Sequence, residues 1–105
     1  MSNAHSTPVS LSLLARIEAK PGKEAEVEAL LRSAVALAVA EPLTVHWFAL
    51  KIGPSTFGVF DTFVDEEGRK AHLSGQIAAA LMAKAPELLA GPPVIEHVEI
   101  IGAKA

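Results

Sequence analysis

An α+β domain with the element order βαββαβ is what this sequence predicts, on three observations. Four segments alternate apolar with polar residues or concentrate β-branched and aromatic ones, two others repeat apolar residues at helical spacing, and proline–glycine punctuation separates them in that order. A chain of 105 residues makes one domain near the common size, so one core must supply the function.

Val9, Leu11, Leu13, Ala15 and Ile17 alternate with Ser10, Ser12, Arg16 and Glu18, broken only by Leu14, and predict a first strand with one apolar face. Pro21-Gly22 turns the chain into a helix from Lys23 to about Glu41, with Val27, Leu30, Leu31, Ala34 and Ala38 on one stripe and Pro42 closing it. Its charges lie in the first half, so the apolar stretch Ala34–Ala40 is expected to be buried on more than one side. Val45–Ile52 and Phe57–Phe63 read as a hairpin around Gly53-Pro54-Ser55-Thr56. Asp65 is a suitable N-cap for a second helix, interrupted at Ser74-Gly75 and restarted at Pro86 into a short turn. Gly91-Pro92-Pro93 ends the helix, and Val94–Ile101 supplies the last strand.

Two split βαβ units give a ferredoxin-like plait, a four-stranded antiparallel sheet with both helices on one face. The open face needs a cover, and the sheet of a two-fold partner provides one while enclosing a cavity, as in a dimeric α/β barrel. An apolar half of the chain and a mean hydropathy of +0.36 are high for so small a domain, which points to a homodimer.

With 0 cysteines, disulfides, thiolate chemistry and Cys-ligated metal are excluded. A net charge of −3 with dispersed Lys and Arg argues against nucleic acid and anionic lipid. The longest apolar runs, Ala34–Ala40 and Ile77–Ala83, are far short of the ~20 residues that span a bilayer. Residues 1–8 read as a disordered leader or tag remnant without a secretory pattern, leaving 9–105 as the domain and the cytoplasm as the expected location. Phosphate-binding glycine loops and the Gly-x-Ser-x-Gly elbow are missing, and the 4 histidines lack close ligand spacing, so no cofactor and no metal are expected.

The chain's 4 phenylalanines and 1 tryptophan, Phe48, Phe57, Phe60, Phe63 and Trp47, all lie on the hairpin. Aromatics are favoured in strands for packing alone, yet with a loop of two or four residues His46, Phe48 and Leu50 share a face with Phe63, Asp61 and Val59. That face would be an aromatic wall with a carboxylate and an imidazole, suited to a flat organic ring; a change of loop parity moves Trp47 and Phe60 into it instead. His72, just before Ser74-Gly75, is placed to act as a general base near neutral pH or simply to bond a backbone carbonyl. His97 on the last strand reads as structural, and His5 belongs to the leader.

In Leu14-Ala15-Arg16 leading to Pro21-Gly22-Lys23, in Trp47-Phe48-Ala49-Leu50, in Phe57–Phe63 and in Ala71-His72-Leu73, the domain resembles the antibiotic biosynthesis monooxygenase family of quinol-oxidising dimeric α+β barrels. The resemblance implies cofactor-independent oxygenation of a quinol or polyketide-like aromatic by O₂ in a cavity between sheet and helices. His72 and Asp61 would be catalytic, and His46, Phe48, Phe63 and Trp47 would contact substrate. Where many relatives carry Glu-x-Trp this chain has Asp61-Thr62-Phe63, keeping the acid and losing the indole. The haem-degrading branch needs an asparagine and a histidine where this chain has Ala15 and Leu81 or Met82, which disfavours haem. A non-catalytic small-molecule binder or sensor, and an isomerase of a small carbonyl compound using His72 as proton carrier, remain as alternatives.

Overall fold

The computed structural model describes residues 9–104; the leader assigned to residues 1–8, with His5, lies outside them. The elements are β1 (Leu11–Glu18), α1 (Glu24–Ser33), α2 (Val35–Val39), β2 (His46–Lys51), β3 (Thr56–Phe63), α3 (Glu66–Leu73), α4 (Gln76–Leu88) and β4 (Val94–Glu99). The strands form one antiparallel sheet in the order β2-β3-β1-β4, with the helices against one face, so the α+β ferredoxin-like plait stands. Gly22 at φ 86° makes the turn into α1, a conformation that an L side chain rarely adopts. No helix among the described residues is long and apolar enough to cross a membrane.

The pairing of Leu13 with Asp61, Ala15 with Val59 and Ile17 with Phe57 puts the alternating side chains of β1 and β3 on the helix side. There Ile17, Phe57 and Val59 pack on Val27 and Leu31 of α1 and on Leu88 and Leu89 at the end of α4. A smaller cluster joins Ala34, Ala38 and Ile77, with Trp47 packed against both groups. The opposite face carries Leu14, Phe60, Phe48, Leu50 and Val98; Phe48 is 51% exposed. Gly58 belongs to that face, where a Cβ would meet the Ala15 carbonyl oxygen at 2.9 Å and Ile52 Cδ1 at 3.2 Å.

Three local expectations are corrected. The first helix divides at Ala34, and in the single chain Val35 and Val39 stand exposed, so its second half is covered on one side only. Pro86 lies within α4 and does not restart the chain. Its ring interferes only with the preceding turn, while Leu88 and Leu89 are held by burial and by the bond from Lys20 N to the Leu88 carbonyl, 2.8 Å. The hairpin loop is the third. Ile52 N and Gly53 N both donate to the Thr56 carbonyl, at 2.8 and 3.1 Å, which leaves Gly53, Pro54 and Ser55 as an odd, three-residue loop. Trp47 therefore pairs with Asp61 and Phe48 with Phe60, so the wall expected from His46, Phe48, Phe63 and Asp61 on one face does not form.

Candidate functional site

The odd loop puts Trp47 on the helix-covered face with Asp61 and Phe63, the latter two beneath the last turn of α3. That helix starts where the sequence placed it, with the Asp65 carboxylate accepting from Gly68 N at 3.0 Å and Glu66 and Glu67 in the first turn. Arg69 ties α3 to the sheet by donating to the Ser12 and Val98 carbonyls at 3.3 and 3.5 Å, and Glu66 on the same helix holds its guanidinium at 2.7 Å. One turn later His72 is thereby aimed inward, with 7% of its surface exposed.

His72 lies between two carboxylates. Its Nε2 is 2.9 Å from Asp61 Oδ2, its Nδ1 is 2.7 Å from Glu41 Oε1, and its ring is 5.5 Å from that of Phe63. Thr44 Oγ1 donates to the same Glu41 oxygen at 2.6 Å. Two glycines admit the segment that carries Glu41. A Cβ at Gly75 would stand 3.0 Å from Glu41 Oε2, and one at Gly68 would stand 3.0 Å from the Leu43 carbonyl oxygen.

Burial opposes a charge on His72, but hydrogen bonds to Asp61 and then Glu41, reinforced by their charges, outweigh it and raise its pKa above the ordinary 6.5. Both ring nitrogens are engaged by carboxylate oxygens, so neither faces open space.

Asp61 Oδ1, Glu41 Oε2 and Trp47 Nε1 are buried without a hydrogen-bond partner. The first and last belong to directly paired residues on one face. Unpaired buried polar atoms are costly, and a donor and an acceptor left together point to a ligand group able to serve both. Trp47 also lines a groove of about 420 Å³ between β2 and the first helical segments, with Phe57, Leu31 and Val35 as further walls. A second hollow, of about 110 Å³ beside His72 and Glu41, is smaller than the ~300 Å³ at which ligand pockets begin.

Of the residues singled out from the sequence, His72, Asp61, Phe63 and Trp47 meet here. His46 and Phe48 do not: they stack on the other face with centroids 6.3 Å apart, and His46 Nδ1 lies 2.7 Å from Thr62 Oγ1. His97 is exposed on β4. Glu41 was missed, although it is the one charge between Arg32 and His46, in a stretch otherwise apolar or neutral. Among the described residues, no group of three or more His, Asp or Glu is arranged to hold a metal ion.

Sheet order, helix placement and inward-facing site define an α+β plait with the fold of the antibiotic biosynthesis monooxygenase family. Proteins named putative antibiotic biosynthesis monooxygenase share it: one from Caulobacter crescentus superposes with TM-score 0.76 at 21% identity, covering 93% of this chain and 95% of its own. Another, from Nitrosomonas europaea, gives 0.78 at 13% identity, over 88% and 90%. NE2512, a protein of unknown function from Nitrosomonas europaea, is 60% identical with TM-score 0.92, over 95% of this chain and 97% of that one; the two belong to one family. No protein-family model matches the sequence, and no curated protein does.

Proposed function

We propose that this chain is a cofactor-independent monooxygenase that oxidises a quinol or polyketide-like aromatic with O₂. The observation that carries the reading is the pair of orphaned atoms on neighbouring strands, Asp61 Oδ1 and Trp47 Nε1. A phenolic hydroxyl is both donor and acceptor, so one such group satisfies both.

Asp61, the base within reach, takes the phenolic proton; His72, both of whose ring nitrogens are engaged by carboxylates, is a positioning residue that fixes the Asp61 carboxylate from behind. Glu41 in turn fixes His72. The electron-rich anion then reduces O₂. A ring carbon that bore hydrogen gains one oxygen as a carbonyl and the other oxygen leaves as water, so the substrate supplies every electron. The open sheet face, with Phe48 and Leu50 exposed, supports assembly as a homodimer through that face.

Oxygen uptake by purified, metal-free protein against a panel of hydroquinones and anthrones tests the reading. Asp61→Asn should retain the fold and lower kcat by about 10²–10⁴-fold. Undiminished turnover in Asp61→Asn, or no uptake with any member of the panel, refutes it.

A further inference from the structure

We propose that the groove along β2 selects aromatic acids, planar rings that carry a carboxylate, an inference that rests on the oxygenase reading and narrows its substrate class. The groove is apolar at its inner end, where Trp47, Leu31 and Val35 line it above the buried Phe57, and cationic at its mouth, where Arg32 and Lys51 stand.

The charges there do not balance. Glu28 is the one acid of the lining, and it serves two cations: Arg32 holds one oxygen through Nε at 3.1 Å and Nη2 at 2.9 Å, while Lys51 Nζ reaches the other at 3.4 Å. One positive charge is left over. Lys51 is the looser partner, and its ammonium sits over the ring of Phe57, 5.8 Å from the centroid, at the wall of the groove. A flat aromatic laid in the groove against Trp47, Leu31 and Val35 presents its outer substituent to Lys51 and Arg32. A carboxylate there gains charge-assisted hydrogen bonds that a neutral ring or an aromatic amine does not. Because both cations are largely exposed, the preference is moderate, about fivefold at low salt.

The chain holds 1 tryptophan, so Trp47 fluorescence reports the groove directly. Titrations with 1-hydroxy-2-naphthoate and with 1-naphthol should give a Kd about fivefold lower for the acid. The difference should collapse in 0.5 M salt and in the Lys51→Gln, Arg32→Gln double variant, with 1-naphthol moving less than twofold. Equal affinities, absence of binding by either probe, or a preference that survives the double variant would overturn the inference. Oxygen uptake with both probes, run in parallel, separates the two ideas. Equal binding with uptake removes the acid preference and leaves the oxygenase; acid-selective binding, with no uptake from any aromatic, leaves an acid-binding groove and removes the oxygenase.

Discussion

Replacing His72 by alanine tests how the buried site is held together. The ring separates two carboxylates at 2.7 and 2.9 Å, and Asp61 is 1% exposed, so truncation leaves two like charges facing each other with no cation between them. Breaking a buried pair from one side costs about 3–5 kcal/mol. A second route to the magnitude sets a ceiling. Stranded Asp61 can escape by binding a proton, which at pH 7 costs about 1.4 kcal/mol per unit above an unfolded pKa of about 3.9, or roughly 4 kcal/mol. The expected loss in chemical denaturation at pH 7 is therefore about 3–4 kcal/mol, or roughly 12–20 °C in Tm for a domain of this size. The wild type also depends on pH. Since the folded pKa of His72 is raised, its contribution is complete below about 6.5 and is lost as pH rises through the folded value. Below 6.5 the wild-type term is flat, while the variant still gains from protonating its stranded carboxylate, so the gap between them narrows by about 1.4 kcal/mol per unit toward pH 5. Adding Asp61→Asn and Glu41→Gln to His72→Ala should restore most of the stability. A loss under about 1 kcal/mol at pH 7, or a loss independent of pH, would show that His72 does not hold the site together.

Other expected outcomes follow from single contacts. Gly75→Ala places a methyl group 3.0 Å from Glu41 Oε2 and should cost about 1–3 kcal/mol in urea melts, with Glu41→Ala relieving part of it. Asp65→Ala removes the acceptor of Gly68 N and should lower stability by about 1 kcal/mol, whereas Asp65→Asn should stay close to wild type. Phe48→Glu puts a charge on the open sheet face; if that face joins two copies, sedimentation at micromolar concentration should turn a dimer into an 11.0 kDa monomer, and an unchanged mass counts against the assembly.

The element order and the open face were legible because alternation and helical spacing report burial directly, and Ser74-Gly75 marked the break next to the site. Loop parity was not. Thr56 reads as a turn residue beside Ser55, yet its carbonyl receives both Ile52 N and Gly53 N, which assigns it to the strand and exchanges the faces of β2. The result moved Trp47 to the site and His46 and Phe48 away from it. Glu41 escaped because its role depends on contact with residues far along the chain, through the space left by Gly75, and sequence spacing carries no record of such a contact. Pro86 misled for a related reason: its local penalty is overridden by the burial of Leu88 and Leu89.

The position of β1 at the centre of the sheet has a bearing on how the chain reaches this state. Leu11 pairs on one side with Phe63 and on the other with Glu99, so the strand synthesised first is the last to acquire both neighbours. Each pairing closes a long loop whose entropy must be met before the contact forms, and such topologies fold more slowly than helical bundles of equal length. Until β4 leaves the ribosome, one edge of β1 offers its N–H and C=O groups to any other strand. The growing chain is thus most exposed to mispairing with its own copies before β4 appears, and a truncation within Val94–Glu99 would make that exposure permanent.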